Sequence, residues 1–217
     1  MTNQYQEYEY SYQSSQKSHH HSYLKKPILE LLNELPMSLP PNRNKRKISI
    51  LDLGCGNGSF SNIIAQAGYE VTGVDDSPSG IKFAQQTYGN CQFIQESTYD
   101  ISPEKLGKKF DVIIAIDVIE HLFYPKELAK VAKKCLNPDG YLIVTTPYNG
   151  YWKNLALSIM GKWDQHLTVL WDGGHIKFFS IATLTELLKS QGFSNINFKF
   201  AGRLPFLWKD MICYSHI

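Results

Sequence analysis

The sequence predicts an α/β fold built on a mostly parallel sheet. Three observations predict it. Residues 48–78 spell strand, glycine turn, helix, strand and acid: ISILDLGCGNGSFSNIIAQAGYEVTGVDDSP. Beyond them, short apolar runs alternate with helical stripes, the pattern of repeated strand–crossover–strand units. Two stretches that alternate apolar and polar residues close the chain, which suits half-buried antiparallel strands.

Bulk properties narrow the class. The 217 residues suit one α/β domain of ordinary size. Hydrophobic residues make up 43% and charged residues 19%, enough for a full core. The 22 basic and 20 acidic residues leave a net charge of +2. With no basic stripe, no nucleic-acid partner is expected. Cys55, Cys91, Cys135 and Cys213 are scattered without a CxxC pair. They read as small core residues in a reducing compartment, not as disulfides or zinc ligands. No run of apolar residues is long enough for a transmembrane helix, and no apolar signal core is present, so a cytoplasmic location is expected.

Residues 1–23 carry Tyr5, Tyr8, Tyr10, Tyr12 and Tyr23 among Gln, Ser and Glu, with no aliphatic residue after Met1. They read as a flexible tail or as a lid whose tyrosines close over an aromatic or sulfonium-bearing ligand. His19 to His21 are given no role. Leu24, Ile28, Leu31, Leu32 and Leu35 form a helical stripe with Pro27 expected in the first turn. Prolines at 36, 40 and 41 end it, and residues 43–47 are a basic lead-in to the first strand. Ile48, Ile50, Leu51 and Leu53 form that strand. Gly54, Gly56 and Gly58 make a tight turn that backbone ligand contacts can use. Ser59 is expected to cap the next helix, which buries Phe60, Ile63, Ile64 and Ala67 and ends at Gly68.

The second strand, Val71 to Val74, stops at Asp75. Ser77 or Ser79 caps a helix over residues 80–88 with Ile81 and Ala84 inward, and residues 91–95 are the third strand. Residues 110–116 are the fourth, ending at Asp117. A helix from Pro125 to Leu136 turns Leu128, Val131, Ala132 and Cys135 to the core. Asn137 to Gly140 reads as a turn, followed by a fifth strand over residues 141–146. Residues 147–174 form an aromatic-rich insertion with Tyr148, Tyr151, Trp152, Trp163 and Trp171. Leu155, Ile159 and Met160 suggest a short amphipathic helix within it. The favoured reading is a hydrophobic substrate wall; a lid, a homodimer face and plain packing on the sheet are the alternatives. Ser180 caps a helix on Leu184, Leu187 and Leu188 that ends at Gly192. Residues 193–200 and 207–214 are the last two strands.

A strand–glycine turn–helix–strand–acid unit suits an adenosine-type ligand, with the acid on the ribose hydroxyls. A dinucleotide site needs Gly-x-Gly-x-x-Gly, and here the third glycine falls one residue early. Asp52, two residues before Gly54, would repel phosphate but could hold an ammonium. No Gly-x-x-x-x-Gly-Lys-Ser/Thr loop occurs. Adenosine joined to a zwitterionic amino acid, as in S-adenosylmethionine, fits better.

LDLGCGNGSF and VTGVDDSP resemble the first two motifs of the class I S-adenosylmethionine-dependent methyltransferases. FDVIIAIDVIEHL and LNPDGYLIVTTPY are similar to that family's fourth and fifth strands, and Asp117 to His121 look most like the ubiquinone-biosynthesis O-methyltransferase group. The resemblance runs from Leu24 to the C-terminus. It implies a Rossmann-like, seven-stranded, mostly parallel sheet with an antiparallel C-terminal hairpin and helices on both faces. It implies S-adenosylmethionine as cofactor and S-adenosylhomocysteine as product. Asp75 would accept the ribose hydroxyls, and backbone at Gly54, Cys55 and Gly56 would pass along the methionine part. Asp52 would order that loop or the amino group, and Asp117 would stand beside the cofactor. Many members carry an acid for the adenine amino group where Ser97 stands; here Asp76, Ser97 and Thr98 are the expected adenine neighbours.

Methyl transfer asks mainly for in-line positioning and desolvation. A hydroxyl acceptor also needs a base or a metal. Asp117, Glu120 and His121 stand at i, i+3 and i+4, on one side of a helical turn if one starts there. His121 could take a proton, the three could hold a divalent ion, or Glu120 and His121 could simply fix the loop. The metal reading is not the favoured one. His175 is an independent base candidate and His166 a weaker one. The expected function is O-methylation of a small quinone-like or secondary-metabolite acceptor. N- or C-methylation of a small metabolite and cofactor binding without turnover are the alternatives. No Asn/Asp-Pro-Pro-Tyr motif follows the fourth strand, which argues against amino methylation of nucleic acid.

Overall fold

A computed structural model describes residues 10–14, 21–35, 47–167 and 169–217. Tyr5, Tyr8, His19 and His20 lie outside the described residues. Seven strands form one sheet: β1 (Ser49–Leu53), β2 (Glu70–Asp75), β3 (Gln92–Gln95), β4 (Phe110–Ile116), β5 (Leu136–Pro147), β6 (Ser194–Ala201) and β7 (Asp210–His216). Their order is β3-β2-β1-β4-β5-β7-β6. Strands β1 to β5 pair in parallel, and β7 runs antiparallel to both β5 and β6. The expected mostly parallel sheet with a C-terminal antiparallel hairpin is therefore the observed one.

Eight helices accompany it among the described residues: α1 (His21–Glu34), α2 (Ser59–Gln66), α3 (Pro78–Thr87), α4 (Pro103–Leu106), α5 (Pro125–Cys135), α6 (Tyr151–Ile159), α7 (Trp163–Leu167) and α8 (Ile181–Ser190). The apolar run of β4 explains the layering. Ile113 and Ala115 pack with Leu128, Val131 and Ala132 of α5 and with Leu184 and Leu188 of α8. Val112 and Ile114 face the other way, among Leu24, Ile28 and Leu31 of α1 and Ile63 and Ile64 of α2. Side chains alternate across a strand, so a strand covered on both faces is apolar on both sides; the buried Asp111 is the exception in β4, and it accepts from the Ser49 N–H and from Asn137, both at 2.9 Å.

Several local expectations change. Pro27 lies inside α1, not in its first turn, because the helix starts at His21. Gly58, at φ 74°, is the cap of α2 and makes no side-chain cap bond; Ser59 is already helical and buried. Ser77 caps α3 by accepting the Gly80 N–H at 3.1 Å. Ser180 and Thr183 form a reciprocal capping box on α8. Asn137 to Gly140 do not separate a helix from a strand. Leu136 already pairs with Phe110, the next pair is Val112 with Tyr141, and the four residues bulge out of β5. Asp139, at φ 60°, makes that bulge. The buried face of α6 is Lys153 and Leu157, whereas Leu155, Ile159 and Met160 are exposed. The short helices α4 and α7 carry too few apolar residues to be read as a stripe.

Candidate active site

The carboxyl ends of β1, β2, β3 and β4 carry most of the predicted site residues. At the end of β1, the Gly54 and Cys55 N–H groups both bond the Val74 carbonyl, at 2.8 and 3.0 Å, which folds the glycine turn onto β2. Gly56 takes φ 54°, a conformation L side chains rarely adopt. A Cβ there would also collide with the Tyr12 phenol. Asp75 ends β2 and anchors the turn. Its Oδ2 accepts the Gly56 N–H at 2.8 Å and its Oδ1 the Ser77 N–H at 2.9 Å. Burial pushes the Asp75 carboxyl up to about 6, although both backbone bonds pull the other way. Asp52 is buried in β1 and accepts from the Ser61 hydroxyl of α2 at 2.5 Å; burial pushes it up to about 7. Cys55 is buried and burial raises its thiol.

The segment 10–14 lies across this turn. The Tyr12 N–H bonds the Ser79 hydroxyl at 2.9 Å, the Ser77 hydroxyl donates to the Tyr10 carbonyl at 2.6 Å, and Asn57 donates to the Ser14 carbonyl at 2.9 Å. Burial, then the Asp75 charge, drives the Tyr12 phenol far above its usual value. Sequence alone gave no register for this contact, because nothing in a Tyr-Gln-Ser stretch says which tyrosine meets which glycine.

On β2's far side, Asp76 is exposed and Ser97 and Thr98 are partly buried just beyond β3. Ser97 accepts the Tyr99 N–H through its hydroxyl at 3.2 Å.

At the end of β4, Asp117 takes φ 53°. Its N–H bonds the Thr145 hydroxyl at 2.9 Å, and that hydroxyl donates to Oδ1 at 2.6 Å. A 3₁₀ turn, Ile119–His121, follows. Asp117 therefore turns toward β5, and the expected trio of Asp117, Glu120 and His121 does not form. Glu120, His121 and His175 come together instead, each offering an atom within 4.8 Å of the others. The His121 and His175 rings stand edge to face with centroids 4.9 Å apart, and Trp171 packs on His121 at 5.8 Å. The Glu120 carbonyl holds the second histidine's loop by accepting from Ile176 and Lys177 N–H at 3.0 and 2.9 Å. Its carboxylate is fully buried, with the Thr146 hydroxyl of β5 beside it. Burial, then Asp117, raises it well above the ordinary carboxylate range. Tyr10 reaches Trp171 at 5.7 Å, so a line of rings joins the N-terminal segment to the histidine pair. His166 lies apart, against Trp163 at 6.2 Å.

This parallel sheet, with its glycine turn and terminal acid, defines the class: a class I S-adenosylmethionine-dependent methyltransferase. A family model described as a methyltransferase domain matches residues 19–197, and the chain belongs to that family. The ubiquinone biosynthesis O-methyltransferase of Azorhizobium caulinodans is 32% identical over 159 residues, covering 70% of this chain and 60% of that protein. The protein of the same name from Bartonella quintana is 31% identical over 180 residues, covering 81% of this chain and 71% of its own. Among solved structures, magnesium protoporphyrin IX methyltransferase from Synechocystis PCC 6803 with bound S-adenosylhomocysteine shares the fold. Its TM-score is 0.65 at 22% identity, over 91% of this chain and 83% of that one. Among the described residues, no helix is long and apolar enough to cross a membrane.

Proposed function

We propose that this methyltransferase methylates a hydroxyl oxygen on a small, quinone-like or secondary-metabolite aromatic acceptor. The observation that carries the reading is the His121–His175 pair beside the end of β4, 4.9 Å apart. The names of the curated relatives support it. The cofactor supplies a methyl group on a sulfonium, a leaving group that needs no further activation. Asp75 accepts the ribose hydroxyls, the Gly54 to Gly56 backbone passes along the methionine part, and Asp52 holds the turn through Ser61. Asp76, Ser97 and Thr98 flank the adenine, and Asp117 borders the reacting centre. An imidazole of His121 or His175 would take the acceptor's hydroxyl proton, and the oxygen lone pair would form the new bond to the methyl carbon as the methyl–sulfur bond breaks, its electron pair staying on the departing S-adenosylhomocysteine. Residues 10–14 act as a lid, with Tyr12 over the glycine turn and Tyr10 on Trp171.

A second reading is favoured by the buried Glu120 carboxylate next to two imidazoles. One carboxylate oxygen and two nitrogens suit a divalent ion that lowers a catechol's pKa. Glu120, His121 and His175 would then be its ligands.

The finer reading is a cytoplasmic enzyme, supported by four free cysteines. A homodimer would use the exposed Tyr151, Trp152 and Ile159 of α6. The test is calorimetric titration with S-adenosylhomocysteine on wild type and Asp75→Ala, followed by methyl transfer to catechols with magnesium or with EDTA. Micromolar binding lost in the variant, and an O-methylated product, are the expected results. Binding without product on any oxygen acceptor sinks the O-methylation reading and leaves N- or C-methylation or a non-catalytic binding role.

A further inference from the structure

Lys153 stands in the first turn of α6, inside the aromatic insertion, and is only 5% exposed. Its ammonium carries three donors, and the one hydrogen bond it makes goes to the Lys209 backbone carbonyl at 3.2 Å. A lysine is rarely buried without a carboxylate partner, because desolvating the cation is costly. A neutral side chain would serve that one carbonyl as well. Two further basic groups share the place. Burial lowers the Lys153 amine to about 8, with Asp210 opposing and Arg203 adding to the fall. His166 is lowered by burial, then by Lys153 and Arg203. The charges of Lys153 and Arg203 act on each other and on His166, and among the described residues Asp210 is the one acid whose charge acts on Lys153.

The spot lies on the site's edge of the sheet. Lys209 precedes Asp210, and Asp210 is in register with Pro147 at the end of β5. Asp117, at the end of β4, is tied to β5 through Thr145. From β4 to β7 is two strand spacings, roughly 10 Å, the length of an aromatic ring with a short side chain. Asp210 would repel a dianion such as phosphate more than a singly charged carboxylate.

We propose that Lys153, with Arg203 and His166, forms an anion subsite that takes a carboxylate on the methyl acceptor, holding the acceptor's reacting hydroxyl at the end of β4. The inference rests on the O-methylation reading for the hydroxyl alone; the anion subsite can be tested without turnover.

The probes are 3-(3,4-dihydroxyphenyl)propanoic acid and its amide, titrated calorimetrically into the full chain saturated with S-adenosylhomocysteine. The acid is expected to bind at least ~10-fold tighter than the amide in wild type, as a charge-assisted hydrogen bond would give. Lys153→Met removes that preference while keeping the volume. Arg203→Ala, on an exposed residue, weakens the preference partly and serves should the first variant fold poorly. Equal binding of acid and amide, no binding of either, or a preference that survives Lys153→Met overturns the subsite. With S-adenosylmethionine present, a preference for the acid but no methylated oxygen on either probe leaves the subsite standing and sinks the O-methylation reading. Methylation of both at equal KM does the reverse.

Discussion

Thr145 and Asp117 are locked together by two opposed hydrogen bonds. The threonine hydroxyl accepts the Asp117 N–H at 2.9 Å and donates to the Asp117 carboxylate at 2.6 Å. This pair holds a non-glycine residue at φ 53°, where a local cost of order 1–3 kcal/mol must be met by surrounding contacts. It also aims the chain into the 3₁₀ turn that carries Glu120 and His121. Thr145→Val keeps the shape and deletes both bonds. It is expected to lower stability by about 1–3 kcal/mol, measured by urea unfolding, and to lower methyl transfer more than cofactor affinity. Thr145→Ser should restore both. Unchanged turnover in Thr145→Val would separate this bridge from the site.

Asp52 gives a pH prediction. Its carboxyl is pushed up from 3.8 to about 7 by burial, so the folded protein holds a proton that the unfolded chain releases. The Asp52 contribution to stability must then fall as pH rises from about 4 to about 7, and Asp117 and Glu120, which burial also raises, carry the decline to higher pH. Asp75, raised to about 6, acts in the same direction over the lower part of that window. Ionising Asp52 in place costs on the order of 4 kcal/mol. Asp52→Asn can still accept from Ser61. It should flatten the profile and stabilise the protein at pH 8, as read from melting temperatures between pH 4 and 8.

How legible this was follows from where the information resides. The repeated apolar runs located β4 to within a residue, because a strand covered on both faces is apolar at nearly every position. The carboxyl-end site was equally readable, since glycine turn and acid are local in sequence. The Glu120–His121–His175 cluster was not. Its third member, 55 residues along the chain from Glu120, arrives through a backbone contact between Glu120 and residues 176–177, and the regular i, i+3, i+4 spacing pointed to Asp117 instead. Lys153 was hidden for a related reason. The aliphatic residues of α6 suggested an inward face that is in fact exposed, and a lysine was not counted as core.

Tyr12 tests the lid. Its phenol is wedged on Gly56, and its backbone is tied to Ser79. Tyr12→Ala is expected to weaken S-adenosylhomocysteine binding about 10-fold through lost packing and a lost hydroxyl, while Tyr12→Phe keeps most of it. Hydrogen exchange at residues 10–14 should slow when the ligand is added to wild type. Tighter binding in Tyr12→Ala would mean that the phenol occupies the ligand's place, and the lid reading would fail.

The histidine pair separates base from metal chemistry. If His121 or His175 removes the acceptor proton, the imidazole must be neutral at the start, so kcat/KM rises with pH through the imidazole range and levels off. His121→Ala and His175→Ala should each leave S-adenosylhomocysteine affinity within about 3-fold of wild type. At least one should lower turnover by about 10²–10⁴-fold, the usual share of a general base. Glu120→Gln distinguishes the two mechanisms. With a base alone, Glu120→Gln replaces a buried carboxyl by an amide of the same shape and lowers turnover modestly. With a divalent ion, the same variant abolishes the response to magnesium and the sensitivity to EDTA, because an amide binds the ion far more weakly than a carboxylate. An EDTA-insensitive wild type with full turnover in both alanine variants would leave neither chemistry at this cluster. The acceptor oxygen would then be activated elsewhere on the sheet edge.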